Sequence, residues 1–218
     1  AGGFQTPPFL GSRSDHLMAG IGAAVQRGDV LPIATDPKPD TASVKLPKPN
    51  RFNGGTVRVL SSVQTAQFSP ETLARFENTT FTRTARGNRQ GVEMGFDGAA
   101  FALDGQLTIL SEPMLAGDIQ MTGLGAPFVL LPECQTTGGY PRIATVLPDD
   151  LPIVAQAAAG TKIQFRFLDQ TQAITQHTPL TRYANDLKRQ LQPLIRDPKD
   201  IPDLLSYQLV SGMITGHE

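Results

Sequence analysis

Apolar and polar residues alternate most cleanly at 162–167, where Ile163, Phe165 and Phe167 interleave with Lys162, Gln164 and Arg166. A period of two turns one face of a strand toward a core and the other toward water. Phe128, Val129, Leu130 and Leu131 are apolar in succession, the pattern of a central strand covered on both faces. Shorter runs at 56–60, 79–84, 92–96, 107–110, 118–121, 127–131 and 142–146 predict further strands. The 21 Gly and 18 Pro residues interrupt these runs throughout, which favours short strands joined by turns over a helix bundle. The fold class expected is mainly β.

Helical signals are local. Ser69-Pro70-Glu71 combines an N-cap, a proline at the first helical position and an acid in the first turn, so a helix should run to about Glu77. Asp149 or Asp150 is placed to cap a second helix through Gln156, ending before Gly160. Both read as small plugs or crossovers on a β-structure. From Thr178, read as an N-cap, Leu180, Tyr183, Leu187, Leu191 and Leu194 recur at helical spacing, and 200–211 predicts another helix ending at Gly212. These tail helices are expected to pack on the β-structure or on another subunit. Residues 36–49 are rich in Pro, Lys and Asp and read as an extended linker. The chain thus divides into 1–35, a linker at 36–55, a β-domain at 56–170 and a helical tail at 177–218. No internal repeat is present.

Composition narrows the function classes. With a formal net charge of -1 over 218 residues, neither nucleic acid nor an anionic membrane is expected as a partner. There is no Trp, and the scattered cations form no base-stacking platform. No apolar run approaches the roughly 20 residues of a bilayer-spanning helix. Cys134 is the sole cysteine, which excludes an internal disulfide and suits a reducing cytoplasm. His16, His177 and His217 make no ligand-spaced pair, so no metal site is expected. The opening Ala1-Gly2-Gly3-Phe4 lacks an initiator Met and a signal pattern, and reads as an interior segment of a longer protein.

The most specific run is Gln135-Thr136-Thr137-Gly138-Gly139-Tyr140-Pro141-Arg142-Ile143-Ala144-Thr145-Val146. It is flanked in order by Ser111-Glu112, Gly117-Asp118-Ile119-Gln120 and Gly125-Ala126-Pro127, and followed by Asp150-Leu151, Ala155-Gln156, Gly160 and Phe165. Upstream stand Gly11-Ser12-Arg13-Ser14, Gly28-Asp29 and Arg58-Val59-Leu60. Together these resemble the allophanate hydrolase subunit 2 family, which also covers the C-subunit proteins of 5-oxoprolinase. Asp15 replaces the usual Thr, Asn88-Arg89-Gln90-Gly91 replaces an Asp-Arg-Met-Gly element, and the family's VQDxGR-like opening is missing.

The resemblance implies a cyclophilin-like β-barrel, with 1–35 the C-terminal part of a preceding β-domain. It implies a partner resembling allophanate hydrolase subunit 1, as a subunit or fused domain. The activity implied is carboxyl transfer from carboxybiotin to urea or a related amide, or a share in ATP-dependent opening of a lactam such as 5-oxoproline. A third branch resembles the antagonist of a sporulation-kinase inhibitor, a non-catalytic regulatory protein; the amphipathic tail outside the matched region suits that alternative. A proline isomerase has no support from an arginine-aromatic set. The sequence holds no Met-Lys pair for biotin attachment and no phosphate loop, so carboxybiotin or ATP is expected from a partner domain or subunit. The chain alone is then expected to be inactive.

The residues themselves suit a small amide. Gly138 and Gly139 can bring backbone N–H groups to an oxyanion, Gln135 can both donate and accept, and Thr136 and Thr137 offer hydroxyls. Arg142 suits a carboxylate and Tyr140 a developing anion. The same run also reads as a tight turn between strands. Arg89 and Arg13 are carboxylate-binding candidates that read equally as surface arginines. Glu112 reads as a base, an orienter of an arginine or a salt-bridged loop acid. Gln120 faces either a core or solvent. Cys134 follows an apolar run and reads as a buried, inert thiol rather than a nucleophile.

Overall fold

The structure, a computed structural model, describes residues 2–38, 43–101, 103, 110–123, 125–195 and 199. In chain order the strands are β1 (Val44–Lys45), β2 (Gly55–Leu60), β3 (Phe81–Asn88), β4 (Gly91–Gly95), β5 (Glu112–Pro113), β6 (Asp118–Met121), β7 (Pro127–Leu130), β8 (Thr137–Gly138), β9 (Arg142–Val146), β10 (Lys162–Phe167) and β11 (Gln192–Pro193). The helices are α1 (Pro70–Asn78), α2 (Leu151–Gln156), α3 (Gln170–Gln176) and α4 (Leu180–Arg189). The chain forms two compact units, Pro47–Gln190 and the pair Ala1–Leu46 with Leu191–Glu218.

In the Pro47–Gln190 unit, seven strands close into a barrel in the order β10-β2-β9-β6-β7-β4-β3. β2 and β10 run parallel, pairing Val57 with Phe165, and the other neighbours run antiparallel. The mainly β expectation is met. The alternation at 162–167 holds, with Ile163 and Phe165 buried and Lys162, Gln164 and Arg166 exposed. β7 lies between β6 and β4, and Val129 and Leu130 are buried there, as the uninterrupted apolar run predicts.

The core is aromatic on one side. Ser69 caps α1 by accepting from the Thr72 N–H at 3.2 Å, and the helix carries Phe76 into the barrel. Its ring stacks on Phe165 at 5.1 Å, with Phe81 at 5.2 Å and Phe101 at 5.7 Å. Complete burial of Phe76, Phe81, Phe101 and Phe165 contributes roughly 1.5–3 kcal/mol per side chain by transfer alone.

Several local expectations shift. Thr79 does not open a strand: its hydroxyl donates to Arg75 O at 2.7 Å and finishes α1, and β3 starts at Phe81. α2 begins after Asp150, yet neither aspartate caps it by side chain. Asp150 instead accepts from Arg58 N at 2.7 Å and Nε at 2.9 Å, because a guanidinium competes better for a carboxylate than helix N–H groups do. Asp149 accepts from Thr178 N at 2.8 Å and lies 2.9 Å from His177 Nδ1. Thr178 is thereby engaged outside the helix; α4 starts at Leu180 after Pro179 and stops at Arg189, short of Leu191 and Leu194. None of its residues is buried. The short α3 adds a helix beyond those predicted, although its capping box is visible as Asp169 and Gln172. Of the strand expected at 107–110, residues 107–109 lie outside the described residues, as does the helix expected at 200–211.

In the other unit, β1 pairs antiparallel with β11, placing Val44 opposite Pro193. Phe4 bridges Ile33, and Phe9 bridges Ser12 across a tight turn in which Leu10 and Gly11 both have positive φ. Among the described residues no helix is long and apolar enough to cross a membrane.

Truncating the centre of the aromatic cluster tests this account of the barrel core. Phe76→Ala is expected to destabilise the fold by about 3–5 kcal/mol, read as a lowered urea midpoint with an unchanged slope.

Candidate functional site

Arg142 opens β9, and its side chain is only 8% exposed. A buried guanidinium needs internal partners, and each of its three nitrogens finds at least one. Nη1 donates to Asp118 Oδ2 on β6 at 3.2 Å and to Pro113 O on β5 at 3.0 Å. Nη2 donates to Glu112 Oε2, and Nε to Gln64 Oε1 at 3.3 Å. Gln64, 2% exposed in the loop before α1, also accepts from Arg142 N at 2.8 Å and donates through Nε2 to Glu112 Oε2 at 2.8 Å.

Asp118 also accepts from Leu115 N on Oδ2 at 3.0 Å and from Thr145 Oγ1 on Oδ1 at 2.8 Å. All three Arg142 guanidinium nitrogens are thus engaged inside the protein, in the geometry of a clamp on Glu112. Glu112 is the exposed end of this network, with 41% of its side chain open. Both internal donors converge on Oε2, so Oε1 has no partner among the described residues.

The polar run lies beside this carboxylate. β8 pairs with β5, setting Gly138 opposite Glu112 and Thr137 opposite Pro113. Met114 N donates to Thr136 O at 3.0 Å and extends the ladder. Thr136 hugs that ladder through its backbone, while Gln135, Thr137 and Tyr140 complete a polar lip open to solvent in whole or in part. Gln120 is buried beneath it and accepts from Gln135 Nε2 at 3.1 Å.

Neither Gly138 nor Gly139 has a positive φ. Gly138 answers to close approach instead: a Cβ there would stand 2.8 Å from Gln120 Nε2 and 3.2 Å from Met114 Cγ. The run is a strand connection whose polar side chains are in part exposed.

Other candidates fall elsewhere. Arg89 follows β3, and its Nε pairs with Glu133 Oε2 at 3.0 Å. Arg13 belongs to the Ala1–Leu46 unit, where its Nε donates to Thr6 O at 2.7 Å. Burial raises the pKa of the half-buried Cys134 thiol, and the Asp118 charge adds to that shift. Among the described residues no three His, Cys, Asp or Glu side chains converge as a metal site requires. Gln64 escapes sequence reasoning because nothing in its local sequence announces a partner 78 positions away.

The family described as "Carboxyltransferase domain, subdomain A and B" matches residues 1–167. The chain belongs to this family. It is 31% identical over 191 residues to the 5-oxoprolinase C-subunit of Escherichia coli, and 30% identical over 192 residues to that of Haemophilus influenzae. Each match covers 86% of the chain, which spans 60% of the length of either relative.

The crystal structure of TTHA0988 shares 32% identity at a TM-score of 0.60, covering 76% of this chain and 32% of that one. Kluyveromyces lactis urea carboxylase gives a TM-score of 0.63 at 21% identity, covering 90% of this chain and 20% of that one, a likeness of fold. The regulatory alternative gains nothing from these matches.

Two outcomes follow. Arg142→Met leaves the buried Asp118 carboxylate without its counter-charge, so a loss of about 3 kcal/mol is expected in urea unfolding. Because the Cys134 thiol is harder to deprotonate than a free one, its iodoacetamide alkylation should be slow at neutral pH. Its rate should reach half-maximum at a higher pH than that of a cysteine peptide.

Proposed function

We propose that the chain is part of a subunit of an amide- or lactam-processing enzyme, and that Glu112 and the Gln135–Tyr140 lip hold the amide. The carrying observation is the half-exposed Glu112 carboxylate, fixed through Oε2 by Arg142 and Gln64 while Oε1 has no partner among the described residues. A carboxylate held this way accepts a hydrogen bond from a substrate N–H without reorganising. The Gln135 carbonyl can orient the amide, and the Tyr140 hydroxyl can donate to its carbonyl oxygen. In carboxyl transfer, Glu112 would take the proton of the amide nitrogen, which gains the carboxyl group as the donor's own N–C bond to it breaks. In lactam opening, the same contacts position the ring amide.

The donor set fits a ureido group as well as a substrate amide, because Gln135, Thr136 and Thr137 offer both donors and acceptors. Carboxybiotin, where it is the donor, supplies an activated carboxyl group, and Thr136 and Thr137 are the side chains that would hold its ureido oxygen. ATP, in the lactam reaction, belongs to another subunit. The partner expected is an allophanate hydrolase subunit 1-like subunit or fused domain, in the cytoplasm. The likeness to two 5-oxoprolinase C-subunits, at 31% and 30% identity, supports this reading.

The test uses the full-length protein purified with its partner subunits and assayed for urea carboxylation and for ATP-dependent 5-oxoproline turnover. One activity is expected, and absence of both overturns the reading. Glu112→Gln keeps the shape and can keep both internal contacts, but it turns an amide N–H2 toward the substrate N–H and removes the base, so kcat/KM should fall about 100-fold or more.

A further inference from the structure

A second feature of the barrel unit is a groove of about 450 Å³ whose walls include Arg83, Asn88, Arg89, Val92, Leu131 and Glu133. Its size suits a ligand of a few heavy atoms or more. One wall is apolar, with Val92 and Leu131 at its base. The polar groups are mostly donors. Two guanidinium groups, Arg83 and Arg89, face one carboxylate, Glu133, which is already paired with Arg89 at 3.0 Å. The Asn88 Oδ1 accepts from Gln90 N at 2.8 Å, which makes its amide nitrogen the available group.

Arg83 is the unusual member. It lies on β3 where the pairing with β4 shifts register between Arg83 and Gly87, an irregularity that re-aims side chains. Its backbone is fixed on both sides: its N–H donates to Thr161 O at 2.9 Å, and its carbonyl accepts from Gly160 N at 2.8 Å. The guanidinium is half-buried, and Nη1 donates to Thr84 O at 2.6 Å. Nε is buried without any hydrogen bond. No carboxylate pairs with Arg83 among the described residues. Gly87 keeps the space open, since a Cβ there would stand 2.7 Å from Val92 Cγ1 and 3.3 Å from Arg83 Nη2. A partly desolvated cation without a counter-charge, beside a further amide donor, favours recruitment of an anion.

We propose that this groove binds a small organic carboxylate, with Arg83 and Asn88 taking the carboxylate oxygens and Val92, Leu131 and Pro132 covering its aliphatic body. A carboxylate only accepts, which matches the surplus of donors, whereas a neutral amide leaves its own N–H groups unpaired. An inorganic anion satisfies the donors but leaves the apolar wall wet. This site is independent of the amide-processing reading, which rests on Glu112. The two share the chain segment 131–138, whose first residues line the groove and whose last form the lip beside Glu112.

The test is an NMR titration of the full chain with butyrate, butyramide and inorganic phosphate in parallel. Butyrate is expected to shift the Arg83 Nε–H and the Val92 and Leu131 amides along one saturable isotherm. Butyramide should not. Arg83→Gln should weaken butyrate binding by about tenfold or more, the loss of one charge-assisted hydrogen bond. Equal binding of butyramide, an unchanged affinity in Arg83→Gln, or saturation by phosphate without saturation by butyrate overturns the proposal. Should Arg83→Gln not fold, Asn88→Ala on the exposed hairpin decides it: weakened butyrate binding supports the site, and unchanged binding overturns it.

Discussion

The guanidinium of Arg142 is the constraint on which the candidate site depends. Burying it beside Asp118 is unfavourable unless every donor is matched, and the partners come from β5, β6 and the loop before α1. Three stretches far apart in the chain, around Gln64, Glu112 to Asp118, and Arg142, must reach their final positions before that cation is satisfied. The result is a rigid polar floor, and Glu112 is its half-exposed end. Rigidity there matters chemically, because a carboxylate that is already oriented loses little freedom on meeting a substrate.

Above that floor the polar run behaves as a surface with a structural root. Its leading residues face solvent, while Gly138 lets the strand descend onto Gln120 and Met114. A side chain at 138 would push β8 away from Gln120 and, through the β5 pairing, disturb Glu112. The glycine thus connects backbone packing to the placement of the carboxylate. The residues just before the polar run, Leu131 to Glu133, line the groove beside Arg83, so 131–138 borders both the Glu112 surface and the donor-rich groove.

Membership of the carboxyltransferase-domain family and the closed barrel fit this division of labour. Barrel strands supply a floor that does not move, and short connections supply exposed groups. The chain spans 60% of its relatives' length.

The sequence by itself determined most barrel strands, because period-two alternation and uninterrupted apolar runs report burial directly, as at Lys162–Phe167 and Pro127–Leu130. It also determined α1, whose Ser69-Pro70-Glu71 start is a purely local signal. The family was legible in Gln135 to Val146. Tertiary structure alone decided where polar side chains spend their hydrogen bonds. Asp150 reads locally as a helix cap and binds Arg58 instead; Arg142 reads as a substrate clamp and holds Glu112. Gln64 carries no signal at all, yet it joins Arg142 to Glu112. The reason is physical: apolar burial follows a short-range period along the chain, whereas a buried charge takes whichever partner the fold brings near.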